Sequence, residues 1–159
     1  MKKIEVTDIN IKQAAMGAYM DYIKYTQKWK REASMSNFFV GYVGEAAYHQ
    51  YIGKEFVYKH YKNSGDGGVD VDDVQVKTTT VEGSLIITSK DKCFKNTKVS
   101  RIVLAYFNKN KAGKEVRIVG EISKKNFLEK SLSYAFTNKK GERETKYTLR
   151  EDQLDIFYK

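Results

Sequence analysis

The chain has 159 residues, 41% apolar and 13% aromatic, which is the length of one ordinary domain with a real buried core. Its single Cys93 and two histidines, His49 and His60, exclude a disulfide framework and a four-ligand zinc site, so any metal is expected on oxygen ligands; no apolar run approaches the ~18 residues that span a bilayer, and none follows Met1-Lys2-Lys3 as in a signal peptide, so a cytoplasmic protein with no membrane partner is expected. The net charge of +9, from 29 Lys and Arg against 20 Asp and Glu, raises the encounter rate with polyanions, nucleic acid first among them, although solubility alone would also account for it.

Thr7 or Asp8 can cap a first helix running to about Arg31. Ile11, Ala15, Ala18, Tyr22, Tyr25 and Trp29 recur along it every three or four residues. That stripe is either core packing or a homodimer contact through the N-terminal helix, with the two alanines allowing close approach. Lys24, Lys28, Lys30 and Arg31 at its end suit the helix dipole as well as they suit phosphate. Ser36 opens a second helix, SNFFVGYVGEAAYHQYIG, closed by Gly53 and carrying Glu45 near its middle. The period then changes to two. Segments 55–61, 69–71, 74–80, 85–88, 102–107 and 116–122 are rich in Val, Ile, Tyr and Thr and predict strands. Ser123 begins a short helix, and 147–149 is a last strand before a polar helical turn. The expected class is α/β, or α+β by some schemes: N-terminal helices first, then a mostly continuous sheet, in one domain over 1–159 with no repeat or linker.

The segment GDGGVDVDDVQVK, residues 65–77, sets four aspartates into a basic chain. With Asp72 and Asp73 at the centre of a tight hairpin, Val71 faces Val74, Asp70 faces Gln75 and Val69 faces Val76. One face then carries Val69, Val71, Val74 and Val76. The other carries Asp70, Gln75 and Lys77, with Asp66 beyond. Any half-solvated hairpin alternates in this way. Here, however, Asp70 and Gln75 would stand with Cβ atoms roughly 5 Å apart, close enough to share one divalent cation. Gly67 and Gly68 would admit another backbone or a substrate, and Gly41 and Gly44 would let the helix bearing Glu45 pack tightly onto the sheet. Asp72 and Asp73 read as turn residues.

The ordered set Gly44-Glu45, Gly67-Gly68-Val69-Asp70 and Gln75-Val76-Lys77 resembles the PD-(D/E)xK, or restriction-endonuclease-like, nucleases. Its GGVD and QxK form looks like modification-dependent restriction enzymes and related phage and resolvase-type nucleases, over about residues 36–107. The resemblance implies a central mixed sheet flanked by helices and a metal-dependent DNA nuclease. It implies that Asp70, Gln75 and the Val76 carbonyl hold Mg²⁺ or Mn²⁺, and that Glu45 binds a second metal ion or fixes the attacking water. Lys77 would orient the attacking water and offset charge on the phosphate. Lys90, Lys92, Lys95, Lys98 and Arg101 follow closely enough to form a DNA-binding edge. Two other readings stand beside this one: a non-catalytic nucleic-acid-binding protein on the same fold, or a protein-interaction module using the first helix.

Overall fold

The computed structural model describes residues 2–28, 34–59, 70–108, 114–138 and 140–155. A short strand β1 (Lys2–Glu5) precedes helix α1 (Asp8–Ile23). Thr7 caps this helix by accepting from the Asn10 N–H at 3.4 Å. α1 widens into a π-helical turn at Lys24–Lys28, and the remainder of the helix expected up to Arg31 lies outside the described residues. Helix α2 (Met35–Tyr51) is capped by Ser34, whose Oγ accepts from Asn37 N, rather than opening at Ser36. It is terminated by Gly53 in the left-handed region (φ +71°), as the sequence predicts.

Strands β2 (Val74–Thr79), β3 (Ser84–Thr88), β4 (Arg101–Phe107) and β5 (Glu115–Ser123) follow, with a four-residue helix α3 (Lys92–Lys95) between β3 and β4. Helix α4 (Lys124–Lys130) is capped by Ser123 and leads into β6 (Leu132–Thr137), β7 (Arg143–Arg150) and a 3₁₀ turn at Glu151–Gln153. The class is α+β. The expected continuous sheet is in fact two. A mixed sheet runs β1-β5-β4-β2, with β2 parallel to β4 and the other pairs antiparallel. An antiparallel sheet runs β3-β7-β6. Residues 55–59 form no strand, and Val71 contributes only an isolated bridge to Val74. β1 and β6 are strands that the sequence reading did not contain.

Helices α1 and α2 cover one face of the mixed sheet. Val40, Val43, Ala46 and Ala47 are buried there against Val74, Val76, Val103, Ala105 and Ile118. The opposite face, through Ile102, Leu104 and Ile122, packs on Leu85, Ile87 and Leu149 of the second sheet and on Phe127 of α4. Sequence alternation along β2 and β4 sorts these residues between two cores. The buried face of α1 is Ala14, Gly17 and Ala18; Ala15 and Tyr22 of the expected stripe are exposed, and Trp29 lies outside the described residues. Gly17 is the close-approach point, because a Cβ there would meet the Tyr58 ring at 2.6 Å and the Tyr42 ring at 3.2 Å. Of the expected stripe, Ala18 is buried and Ile11 packs against the core.

Candidate active site

Among the described residues β2 is an edge strand of the mixed sheet, and the candidate site is built around it. The turn ahead of β2 has Asp72 and Asp73 at its centre: Val74 N–H donates to the Val71 carbonyl at 2.8 Å, and Asp72 takes φ +53°. Both Asp70 N and Val71 N donate to the Val74 carbonyl, at 2.9 and 3.3 Å. Two residues thus oppose one, which is a β-bulge and not the plain register in which Asp70 faces Gln75. The bulge carries the Asp70 carboxylate along the open edge of β2. There its Oδ2 accepts from Val76 N and from Gln75 Nε2, each at 2.5 Å. The expected meeting of Asp70 and Gln75 occurs, by a different backbone route. Asp66, Gly67, Gly68 and Val69, which the sequence reading placed beside them, lie outside the described residues, as do His60 and Tyr61.

Both turn aspartates serve the turn. Asp72 pairs with Lys54 Nζ at 2.6 Å. Asp73 accepts from Arg101 Nη2 at 2.8 Å and from Ser100 Oγ, while its carbonyl accepts from Ser100 N and Arg101 N. Arg101 also reaches Glu121 at 3.5 Å. It braces the turn against β4 and β5, between two carboxylates. The Arg101 and Ser100 hydrogen bonds hold the Asp73 carboxyl down at about 2, against an ordinary 3.8. A carboxyl lowered by folding contributes stability above pH 3.8 and loses it as pH falls towards 2. Thermal melts of Asp73→Asn should therefore fall less steeply than the parent between about pH 4 and 2. Parallel acid limbs would assign the acid sensitivity elsewhere.

Lys77, two residues beyond Gln75, donates from Nζ to Asp91 Oδ2 at 2.5 Å. Asp91 also caps α3 through Cys93 N at 3.0 Å. Burial pushes the Asp91 carboxyl up, but the Lys77 ammonium and the Cys93 N–H outweigh it, and the net position is below the usual range. Asp91 was not among the sequence candidates; the only signal was its place before the short KCFK helix, which reads as an ordinary cap. Cys93 is buried, and burial followed by the Asp91 charge pushes its thiol up to about 12, which leaves it unreactive.

Glu45 comes from α2, on the other side of the edge strand. Gly44 next to it is what sets α2 against β2. A Cβ at Gly44 would lie 1.8 Å from Thr78 Oγ1 and 2.8 Å from Thr78 Cβ and Cγ2. Gly41, by contrast, has nothing within 4 Å of its missing Cβ and faces the open cleft. Glu45, Asp70, Gln75, Lys77 and Asp91 all line one cleft of ≈ 590 Å³. The wall opposite contains an unexpected network: Asp21 of α1 accepts from Tyr42 Oη at 2.6 Å and from Tyr58 Oη at 3.2 Å. Burial and the Asp21 carboxylate push the Tyr58 hydroxyl up to about 12 and Tyr42 higher still, so both remain neutral donors.

Lys24, Lys59, Lys77, Lys90 and Lys92 line the cleft beside Asp21, Glu45, Glu55, Asp70 and Asp91. Among the described residues the opposite charges lining the cleft are equal in number, in a molecule of net charge +9. Lys90 and Lys92 thus stand where the sequence reading wanted phosphate contacts. Lys95 and Lys98 are exposed and do not line the cleft. Among the described residues no three Asp, Glu, His or Cys side chains converge as a metal-ligand group. The oxygen-bearing groups that do converge are of another kind. The terminal amide of Gln75 is 2.5 Å from Asp70 Oδ2 and 3.3 Å from the Val76 carbonyl oxygen, so one carboxylate, one amide and one peptide carbonyl meet at a point.

Comparison of the chain with protein-family models, with curated proteins and with solved structures gave no match.

Proposed function

We propose that the protein is a metal-dependent DNA nuclease that hydrolyses phosphodiester bonds in the cleft at the edge of β2, of the kind found in phage or defence systems. The observation that carries this reading is the meeting of Glu45, Asp70, Gln75 and Lys77, drawn from a helix, a bulged turn and an edge strand, in one cleft. Those are the positions on which the sequence resembles the PD-(D/E)xK nucleases. The donor set fits a hard divalent cation: Asp70 supplies the single charge, and Gln75 and the Val76 carbonyl supply neutral oxygens, the amide of Gln75 turning its oxygen inward to do so. Mg²⁺ or Mn²⁺ held there would polarise a phosphoryl oxygen and lower the pKa of a bound water.

The remaining steps belong to the chain. Lys77 is held in place by Asp91, and its ammonium can orient a water and match the negative charge that grows on the phosphate. Glu45, on the opposite side of β2, would fix that water and accept its proton. Lys90 and Lys92 at the margin attract the flanking phosphates. With no cation the described charges lining the cleft balance and its carboxylates repel DNA; adding two positive charges tips that balance, so metal and polyanion should bind with mutual help.

A second reading is favoured by one observation: among the described residues no set of three carboxylate, histidine or cysteine ligands is formed. On it the protein binds nucleic acid through the same cleft without cutting. Incubation with supercoiled plasmid, linear duplex, single-stranded and branched DNA, with Mg²⁺, Mn²⁺ or EDTA, separates the two. Metal-dependent cleavage of any one form is the expected result. Salt-sensitive binding with no cleavage of all four would establish the non-catalytic reading instead.

A further inference from the structure

The antiparallel sheet presents an outward face that the proposed chemistry does not use. Its register puts Ile86, Thr148 and Leu132 in one row across β3, β7 and β6, and Thr88, Lys146 and Tyr134 in the next, followed by Glu144 and Phe136. The alternate residues Leu85, Ile87 and Leu149 turn into the core, so this row structure is the solvent side. Leu132 is 77% exposed, Tyr134 51% and Ile86 47%. The Tyr134 and Phe136 rings lie 6.5 Å apart, and Lys146 Nζ stands 5.8 Å from the Tyr134 ring centre. Large exposed side chains are ordinary one at a time. Two neighbouring rings with a cation beside them on a sheet face are the elements of a platform on which bases stack while a lysine meets the phosphates.

Charge and continuity identify the occupant. The one acid in these rows, Glu144, is turned away from solvent: its side chain is 10% exposed and is engaged by Lys90 at 3.4 Å and by Asn138 Nδ2 at 2.5 Å. Lys146 remains on the face, with Arg150 held in an ion pair by Asp152, in a chain of net charge +9. Lys90 lines the candidate active site while pairing with Glu144 and Glu142 of the platform. Just before it, Ser89 N donates to the Thr145 carbonyl at 2.8 Å, so the end of β3 joins the two surfaces.

We infer that the Ile86–Tyr134–Phe136 face binds single-stranded DNA by base stacking and feeds it past Lys90 into the cleft at Asp70 and Lys77. The inference rests on the nuclease reading and adds to it that the DNA arrives unpaired. A duplex hides its base faces in its own stack and gains nothing from Tyr134 or Phe136.

The test is fluorescence anisotropy with a labelled single strand of about 20 nucleotides and with the same sequence as duplex, in EDTA so that no cleavage intervenes. Tyr134→Ala combined with Phe136→Ala should weaken single-strand binding about 10-fold or more, with duplex binding changed by less than about threefold. Tyr134→Phe should bind as the parent does, since it keeps the ring and loses only the hydroxyl; Lys146→Glu should weaken the single strand and flatten its salt dependence. Tyr134 is half exposed, so the folded state of the double variant is checkable by circular dichroism and a melt. Unchanged single-strand affinity in a folded double variant would overturn the inference. So would a parent dimer, seen by sedimentation equilibrium, that the double variant dissolves without changing DNA affinity, because the face would then be an interface between copies. Cleavage is scored separately with Mg²⁺. Platform-dependent binding without cleavage keeps this inference and removes the nuclease reading, and cleavage with unchanged binding does the reverse.

Discussion

Lys77→Ala should reduce metal-dependent cleavage by at least about 100-fold while leaving DNA affinity within a few-fold of the parent, because one lysine among the cleft's cations contributes little to a backbone field but is placed for charge that develops only in the transition state. The fold should survive, since Lys77 and Asp91 are both part-exposed and the pair is not a core element. Loss of the ammonium removes what holds the Asp91 carboxyl low, and burial then raises it. The same protein should therefore show a new titration moving upward from the acid range. Asp70 needs a gentler change than alanine. It accepts from both Val76 N and Gln75 Nε2; deleting it strands the Val76 N–H, at about 1–3 kcal/mol, and leaves Gln75 Nε2 only its longer bond to the Val76 carbonyl. Asp70→Asn keeps an acceptor, removes the charge, and should abolish cleavage with a smaller loss of stability. Parent-like rates in Lys77→Ala and Asp70→Asn would remove the nuclease assignment.

Gly44→Ala is the second large effect, and it acts at a distance from the reacting groups. The added methyl would lie 1.8 Å from Thr78 Oγ1 and 2.8 Å from two further Thr78 carbons. Thr78 sits on β2 and its hydroxyl is buried without a hydrogen-bond partner, so nothing is lost by moving it except space, and there is none. Overpacking of this kind costs about 1–3 kcal/mol, at the upper end where backbone must shift. The shift that relieves it separates α2 from β2 and thereby Glu45 from Lys77, so cleavage should fall even at temperatures where the variant is fully folded. Combining Gly44→Ala with Thr78→Ala removes two of the three contacts and should recover part of both losses. Denaturant melts and cleavage rates across the four-protein cycle measure the coupling. Additive losses would mean that the helix is positioned by something other than this contact.

The residues that meet in the cleft were legible because their spacing is local. The valines at 69, 71, 74 and 76 sort a hairpin between two faces, and the turn at Asp72 and Asp73 follows from that sorting. The bulge was not legible: adding one residue opposite Val74 leaves the alternation of β2 untouched and changes only how Asp70 reaches it. Asp91 was missed for a related reason. Its distance from Lys77 depends on how β3 and α3 return to the mixed sheet, a long-range matter that no local pattern records. Residues 55–59 have strand-like composition but find no partner strand, and their aromatic Phe56 and Tyr58 are spent on α2 and α1 instead. β6 failed in the opposite sense. Leu132, Ser133, Tyr134 and Ala135 are all exposed, so the contrast of buried and solvated positions on which the period-two signal depends is absent there. In α1 the stripe held in part: Ile11 and Ala18 face the core, whereas Ala15 and Tyr22 are exposed and the glycine at 17 makes the close approach.

Sheets with an open edge invite another strand to add on, and proteins commonly blunt such edges with charge or with a bulge. Among the described residues β2 is such an edge, and both devices on it belong to the candidate site: the bulge at Asp70 and Val71, and the Asp70 carboxylate that accepts from Val76 N. The groups proposed for the chemistry therefore also blunt this edge against strand addition. On the nuclease reading, a chain that lost the proposed activity would still need an acceptor at Asp70 to keep that edge blunted, so an acid at this position would outlast the reaction proposed for it.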